Sequence, residues 1–278
     1  MKNIIIIGGN ELALNLINKI SKKFIVSQIV RKKKNFCKKE YLVKDYNASE
    51  VIKILSIEKP DFVFNFVSCR RDNLKWCLYY NVFLSLCLIQ WLKKNKNTKL
   101  VLFGTSAEYG DSEKKVVSEK DLVNPQSFYG LTKYIQSFLV ENFILFYNYN
   151  ILVLRIFNLK GKIYNPTTLV GKINLFIKKN HLIKKNKKIN LGNLGSYRDF
   201  ISLNQTSKII LKLMEKPYKG IFNIGSGKAV LVRTLVKNMF KKYKNLHFAE
   251  KKKKFHISER DYIVADIKKI KKLLNEKN

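Results

Sequence analysis

Two residues of this sequence have the types and spacing for acid–base chemistry. Tyr129 and Lys133 stand four residues apart near the start of a predicted helix, so their side chains share a face. A neighbouring ammonium favours an ionised phenol, which can exchange a proton with a carbonyl or hydroxyl oxygen while a hydride moves at carbon. With 14 tyrosines and about one lysine in six residues, one or two such pairs are expected by chance, so the pair needs independent support.

The neighbouring sequence supplies part of that support. Pro125, Gln126 and Ser127 form a helix start, and Thr105 and Ser106 follow the apolar run that precedes it. In doubly wound parallel sheets, ligands bind at the carboxyl ends of the strands. We therefore expect these residues at a ligand-binding edge.

Short apolar runs alternate with helical patterns over the first two thirds of the chain, which indicates βα units. Each apolar run is nearly continuous, as expected when helices cover both faces of a sheet. The predicted strands span 3–7, 24–30, 61–67, 99–104 and 151–157. The predicted helices span 12–20, 48–57, 73–92 and 127–147. The pattern predicts an α/β fold with a doubly wound parallel sheet.

The pattern is less regular beyond residue 157. The sequence predicts a loop, two helices, two short strands and a terminal helix, at 158–168, 169–179, 203–214, 189–191, 220–224 and from 267. No linker divides the chain by composition. We expect a first domain over 1–158 and a smaller lobe over 159–278, some of whose segments pack back on the sheet.

The turn after the first predicted strand resembles a dinucleotide-binding turn with two defects. Such a turn carries glycines for the tight bend, for approach to the pyrophosphate and for helix packing. Here Gly8 and Gly9 are followed by Asn10, but Glu11 and Leu14 stand where the second and third glycines belong. The helix start still points at the ligand position, and an ordinary Gly-Gly turn is the alternative.

Basic residues follow the second predicted strand. Arg31 opens a run of four basic residues where an NAD-selective protein often has an acidic residue for the ribose hydroxyls. Basic side chains at this place suit a 2′-phosphate, so the sequence favours NADP over NAD.

The composition limits the class of protein. The formal net charge is +35, which suggests nucleic-acid or anionic-surface binding, yet seven of the 55 basic residues are arginine and the lysines lie in separate runs. We favour a solvated basic surface, which would also attract an anionic substrate. The four cysteines and three histidines have no metal-ligand spacing, and no apolar run reaches the ~20 residues of a membrane span. We expect a reduced, cytoplasmic protein without metal, membrane or specific nucleic-acid partner.

Five segments together resemble a known family. They are TSAEYG, NPQSFYGLTK, LRIFNLKG, GNLGSYRDFI and GIFNIGSG, and they occur in the order found in extended short-chain dehydrogenases/reductases, of the NAD-dependent epimerase/dehydratase type, that act on nucleotide sugars. The resemblance runs from the first strand to about Asp266. It implies a Rossmann-like dinucleotide-binding domain at 1–158 and a substrate-binding lobe at 159–278.

The resemblance assigns roles to individual residues. Tyr129 matches the acid/base, Lys133 its partner that also holds the nicotinamide ribose, and Thr105 the residue bonded to the reacting sugar oxygen. Asn158 and Arg198 match residues that contact the substrate diphosphate. The alternatives are a solvated side chain for Arg198 and a capping or turn role for Asn158, as also for Asp45. Further matches at the substrate site are Ser106 and Arg260, with His256 as the alternative to Arg260. The cofactor site implied by the resemblance is Gly8, Gly9, Asn10, Glu11, Arg31, Asp45, Tyr46 and Lys133.

The same segments discriminate among reactions in the family. Dehydratases have acidic residues directly after the Ser/Thr, whereas this chain has Ser106 and Ala107 there. Glu108 comes one position later and would turn away if the backbone is extended. We therefore expect reduction of a nucleotide-linked 4-keto-6-deoxy sugar by NADP or NAD. The alternatives are a 4-epimerase and a non-catalytic relative with an impaired turn. The resemblance also implies a homodimer formed by helices 73–92 and 127–147.

Overall fold

The computed structural model describes residues 1–70, 73–250 and 261–275. Its strands are β1 (Asn3–Ile7), β2 (Ile25–Val30), β3 (Lys39–Leu42), β4 (Phe62–Asn65), β5 (Lys99–Thr105), β6 (Val116–Val117), β7 (Ile151–Ile156), β8 (Asn158–Lys160), β9 (Lys187–Leu191), β10 (Tyr197–Ser202), β11 (Gly220–Ile224), β12 (Ala229–Leu231), β13 (Leu246–Glu250) and β14 (Tyr262–Ala265). Its helices are α1 (Glu11–Ile20), α2 (Ala48–Glu58), α3 (Leu74–Cys77), α4 (Leu84–Trp91), α5 (Phe128–Tyr147), α6 (Leu169–Asn180), α7 (Leu203–Met214), α8 (Val232–Phe240) and α9 (Lys268–Asn275).

A seven-stranded parallel sheet forms the centre of the fold, in the order β11-β7-β5-β4-β1-β2-β3. Both faces are covered, as the isoleucines of β1 illustrate: Ile4 and Ile6 join one apolar cluster, and Ile5 and Ile7 join the other. Alternate side chains of a strand point to opposite faces, so an uninterrupted apolar run fits a strand buried on both sides. The predicted α/β fold with a doubly wound parallel sheet is confirmed.

The strand order reverses between β1 and β4. The chain runs from β1 outwards to β2 and β3, and then crosses back to β4 on the other side of β1. At such a switch point the loops after adjacent strands diverge and leave a crevice at the carboxyl edge. The turn at Gly8 and the segment ending at Arg70 border this crevice.

Most predicted elements of the first 157 residues are present, with three differences, of which the smallest is the two-residue strand β6, which was not predicted. Strand β3 was not predicted, because its sequence KEYL is half polar and lies at the sheet edge.

The single helix predicted over 73–92 is wrong. The chain forms α3, a π-helical segment at Leu78–Phe83, and α4. Asn81 lies in the π-helical segment, fully buried, and its amide bonds the backbone of Cys69. A buried polar contact thus accompanies the change in helical pitch.

The later part of the chain forms smaller sheets. Strands β12, β10, β14 and β6 are adjacent in one of them, and β8 pairs with β10. The loop predicted at 158–168 is therefore wrong at its first residues, which form β8. Strand β11 pairs with β7 and completes the large sheet. The division into domains at residue 158 stays a prediction.

Among the described residues, no helix is both long enough and apolar enough to cross a membrane.

Candidate active site

A cleft of about 1190 Å³ opens at the carboxyl edge of the large sheet. Most of the residues selected from the sequence line it, namely Gly8, Gly9, Asn10, Glu11, Arg31, Asp45, Tyr46, Thr105, Ser106, Tyr129, Asn158 and Arg198. Lys133 is buried beneath the cleft surface, with 2 % of its area exposed. Arg260 and its alternative His256 lie outside the described residues. One cavity therefore contains residues from both ends of the chain.

Helix α5 presents Tyr129 to the cleft from its first turn. The Ser127 side chain accepts a hydrogen bond from the Gly130 amide at 3.1 Å and caps the helix, as the sequence predicted. One turn later, the Lys133 ammonium donates to Gln136 Oε1 at 3.1 Å. The ring of Tyr129 is instead covered by the Arg70 guanidinium, 4.5 Å from its centroid. A second cation thus accompanies the predicted pair.

Sequence reasoning missed Arg70. It is one of seven arginines in the chain, and its position after β4, at the edge where ligands bind, was a signal that could have identified it. The preceding residues are held firmly, since Asn81 Oδ1 accepts hydrogen bonds from Ser68 Oγ at 3.1 Å and from the Cys69 amide at 2.9 Å. The Asn81 amide also donates to Thr132 on α5. These contacts tie the segment carrying Arg70 to the helix carrying Tyr129.

The Lys133 ammonium has an unusual environment. Burial lowers its pKa from 10.5 to about 8, the negative charge of Glu108 opposes this shift, and the positive charge of Arg70 adds to it. Because the folded-state pKa lies below the unfolded one, the folded protein loses this proton first as pH rises. The free energy of unfolding should therefore rise with pH between about 8 and 10.5.

We expect this pH dependence to disappear in Lys133→Met. The wild type should gain about 1–3 kcal/mol over the variant between pH 8 and 10, measured by urea unfolding. Lys208→Met, an exposed lysine on α7, is the control and should track the wild type. A pH-independent difference between wild type and Lys133→Met would contradict the lowered pKa.

Thr105 ends β5 and begins a 3-10 turn over Ser106–Glu108. The Thr105 hydroxyl caps this turn by accepting a hydrogen bond from the Ala107 amide at 3.3 Å. The extended backbone considered for this segment is therefore wrong, although Glu108 does turn away from the cleft. Its carboxylate is completely buried and bonds Arg155 Nε at 2.7 Å.

The phosphate turn combines a favourable backbone with an unfavourable side chain. Gly8 has φ +83°, a conformation that favours glycine, and its carbonyl accepts a hydrogen bond from Gln28 Nε2 at 2.7 Å. Asn10 Oδ1 accepts from the Ala13 amide at 2.9 Å and caps α1. The Glu11 carboxylate accepts from the Tyr164 amide at 2.6 Å. Glu11 thereby joins the turn to the loop 161–168 of the later part of the chain.

The residues expected near adenine lie together at the other side of the turn. The Arg31 guanidinium covers the Tyr46 ring at 5.5 Å, and burial raises the pKa of Tyr46. Asp45 accepts a hydrogen bond from the Tyr80 hydroxyl at 2.6 Å. Burial, followed by this carboxylate, raises the pKa of Tyr80 to about 12. The tyrosine therefore stays a neutral donor at neutral pH.

Asn158 and Arg198 border the cleft from β8 and β10. Asn158 Nδ2 donates to the backbone carbonyl of Asp199 in β10 at 3.1 Å. Arg198 Nη1 donates to the Tyr197 carbonyl at 2.9 Å. The buried Asp199 carboxylate accepts from the amides of Ser226 and Gly227, at 2.7 and 2.9 Å. Asp199 thus fastens the GIFNIGSG segment behind β10.

The parallel sheet with a cleft at its carboxyl edge is the fold expected of an extended short-chain dehydrogenase/reductase. Within that class, the family model described as GDP-mannose 4,6 dehydratase matches residues 30–277, so the chain belongs to this family. The predicted membership of the extended short-chain dehydrogenase/reductase family is confirmed. The likeness to one particular reductase of that family stays a prediction.

Two curated relatives resemble the chain in sequence. GDP-6-deoxy-D-talose 4-dehydrogenase of Aggregatibacter actinomycetemcomitans is 31% identical over 175 residues, which are 61% of this chain and 57% of the relative. dTDP-4-dehydro-6-deoxyglucose reductase of Escherichia coli is 25% identical over 214 residues, 74% of this chain and 66% of the relative. The chain thus spans less than two thirds of the length of either protein.

Solved structures share the fold over almost all of the chain. UDP-glucose 4-epimerase of Thermotoga maritima with UDP-glucose has a TM-score of 0.83 and 22% identity, covering 97% of this chain and 91% of that one. UDP-N-acetylglucosamine 4-epimerase of Methanobrevibacter ruminantium M1 also has a TM-score of 0.83, with 20% identity, and covers 100% and 93%. At this level of identity, the likeness establishes the fold.

Proposed function

We propose that this protein reduces the 4-keto group of a nucleotide-linked 4-keto-6-deoxy sugar with NAD(P)H, in the manner of GDP-4-keto-6-deoxymannose reductase. The observation that carries the proposal is the presence of Thr105 and Tyr129 in one cleft with the phosphate turn at Gly8. Two relatives named for oxidoreduction at the 4-position of 6-deoxy sugars support it.

The cleft residues fit an adenine dinucleotide. Gly8 makes the tight turn after β1. A Cβ at Gly9 would lie 2.7 Å from Gln28 Nε2, so any larger residue at Gly9 would displace the Gln28 side chain that bonds the Gly8 carbonyl. The buried Oε1 of Gln28 has no hydrogen-bond partner among the described residues. In this proposal Arg31, which lines the cleft, holds a 2′-phosphate, and Asp45 contacts the adenosine end. When bound, the cofactor supplies the hydride.

The chain's own residues then supply the proton and orient the sugar. The Tyr129 hydroxyl gives its proton to the 4-keto oxygen as negative charge develops there. The Thr105 hydroxyl donates a hydrogen bond to the same oxygen, and Lys133 beneath the cleft provides positive charge. Arg198 and Asn158 hold the substrate diphosphate, for which guanidinium is well suited.

The environment of Glu108 supports reduction over dehydration. Water elimination needs a second acid or base beside the sugar, while Ser106 and Ala107 are neutral and Glu108 is bound to Arg155. Glu11 beside the diphosphate position supports an exchangeable cofactor, which a reductase needs on every turnover. A 4-epimerase returns its hydride to the sugar and gains from retaining the cofactor.

The test is an assay of GDP-, dTDP- and UDP-linked 4-keto-6-deoxy sugars with NADPH and with NADH, and in parallel of the corresponding nucleotide hexoses. A ketoreductase consumes one reduced cofactor for each 4-hydroxy product, followed by absorbance at 340 nm and by mass spectrometry. Interconversion of nucleotide hexoses without net cofactor consumption would favour the epimerase. Dinucleotide binding without turnover of any sugar would contradict both.

Arg198→Met should raise KM for the nucleotide sugar about tenfold to a hundredfold with little change in kcat. The reason is that a diphosphate clamp acts equally on bound substrate and transition state. Arg233→Met is a matched control, because Arg233 is a partly exposed arginine on α8 that pairs with Glu250. A fall in kcat at unchanged KM would contradict the diphosphate role of Arg198.

We further propose that the protein forms a homodimer through α3, α4 and α5. Several large apolar side chains on these helices and the π-helical segment are at least 39% exposed, namely Leu74, Trp76, Leu78, Phe83, Leu131 and Phe138. Burying such a surface would favour association. Light scattering that gave a monomer mass at micromolar concentration would contradict the dimer.

A further inference from the structure

A buried ion pair lies directly behind the candidate active site. Glu108 and Arg155 are 0% and 3% exposed, and Arg155 Nε lies 2.7 Å from Glu108 Oε2. Two more donors complete the coordination of the carboxylate. The Thr105 amide bonds Oε1 at 2.8 Å, and the Ser137 hydroxyl bonds Oε2 at 2.7 Å. The carboxylate therefore joins the end of β5, helix α5 and strand β7.

The ion pair is not explained by stability alone. Burial raises the pKa of the Glu108 carboxyl, and the Arg155 charge with the surrounding donors opposes that rise. Desolvating two charges costs about as much as their attraction returns, so an apolar pair of similar volume is often equally stable. Such a pair, however, could not bond the Thr105 amide and Ser137 at once.

The local packing is built around the carboxylate. A Cβ at Gly104 would lie 2.5 Å from Glu108 Oε1, so glycine at this position leaves room for the oxygen that holds Thr105. On the other side, Ser137 lies one helical turn after Lys133 on α5. The carboxylate thus fixes the Thr105 backbone relative to the helix that carries the acid/base.

The partner arginine is itself held in place. Arg155 Nη1 donates to the Tyr109 hydroxyl at 3.2 Å, and that hydroxyl donates to Asn223 Oδ1 at 2.7 Å. The guanidinium also lies over the Tyr109 ring, 5.0 Å from its centroid. These contacts anchor the ion pair to β11.

We propose that Glu108, supported by Arg155, is a positioning residue that sets the place of Thr105 relative to Tyr129 on α5. The inference rests on the proposed function, because it gives Thr105 a role at the reacting oxygen. A displacement of about 1 Å at such a group lowers the rate by as much as a hundredfold, so the support behind Thr105 has a kinetic consequence.

The kinetic test is a double-mutant cycle with Thr105→Ala. Glu108→Leu by itself leaves Arg155 without its counter-charge and endangers folding, so the second variant is Glu108→Leu/Arg155→Met, which replaces the ion pair with apolar side chains that cannot bond the Thr105 amide. In the wild-type background it should lower kcat at least about tenfold with KM unchanged. In the Thr105→Ala background the loss should be less than about threefold, because residues acting as a unit are non-additive. Equal losses in both backgrounds, or no loss, would overturn the proposal.

A second measurement needs no enzymatic activity. Hydrogen exchange at the Thr105 amide should be at least about tenfold faster in Glu108→Leu/Arg155→Met than in wild type, because leucine cannot accept its hydrogen bond. The Leu102 amide, in the middle of β5, is the internal control and should exchange at its wild-type rate. Unchanged protection at Thr105 would overturn the proposal. A wild type that reduces no 4-keto sugar would contradict the proposed function, and hydrogen exchange would then decide the positioning role by itself.

Discussion

Tyr129→Phe is expected to lower kcat for 4-keto sugar reduction by a factor of about 10² to 10⁴. Phenylalanine keeps the ring on which the Arg70 guanidinium packs at 4.5 Å, but it has no proton to give to the developing alkoxide. Binding of dinucleotide and sugar nucleotide should change little, because the residues proposed to hold their phosphates are unchanged in the variant. The measurements are steady-state kinetics and calorimetric titration of the variant with each ligand.

The matched control for this prediction is Tyr134→Phe. Tyr134 lies on the same helix, packs against Phe138 with ring centroids 6.2 Å apart, and does not line the cleft. Its variant should keep wild-type kcat. If Tyr129→Phe retained more than about a tenth of wild-type kcat, another group would have to supply the proton, and the assignment of Tyr129 would be wrong.

Glu11→Gly is expected to raise the affinity for NAD(P)H by about tenfold to a hundredfold. The Glu11 carboxylate stands in the first turn of α1, where a diphosphate would approach the helix start, and like charges at that distance repel. It also accepts the Tyr164 amide at 2.6 Å, so the substitution releases the turn from the loop 161–168. Calorimetric titration with NADPH and NADH measures the change.

Two further variants separate charge from shape at this position. Glu11→Gln keeps an oxygen that can accept from Tyr164 but removes the charge, so its affinity should lie between wild type and Glu11→Gly. Glu50→Gln removes an acidic residue from the first turn of α2 and should leave affinity unchanged. Equal affinity of wild type, Glu11→Gln and Glu11→Gly would mean that the diphosphate binds away from Glu11.

The central sheet was predictable because burial on both faces leaves a strong local signal. The run from Ile4 to Ile7 and the apolar segments of β4, β5 and β7 were recognised as strands, and all of them lie in the sheet. Elements with mixed polarity were not recognised. Strand β3 at the sheet edge and the short strands β10, β12 and β14 depend on partners that are distant in sequence.

The candidate site shows the same division. Tyr129, Lys133 and Thr105 could be chosen from the sequence because residue types and motif order specify them. The partners of these side chains could not be chosen. Neither the Arg70 guanidinium on the Tyr129 ring nor the bond from Lys133 to Gln136 follows from local spacing. Both depend on the way in which the segment after β4 meets helix α5.

The sequence alone determined the α/β class, the parallel arrangement of its buried strands and which residues are candidates for acid–base chemistry, since periodicity and motif order are local properties. The tertiary structure decided what each charge faces. The Glu108 carboxylate is buried and pairs with Arg155, and the Glu11 carboxylate bonds the Tyr164 amide, 153 positions further along the chain. Electrostatic energy depends on distance in space and on burial, and neither quantity exists until the chain has folded.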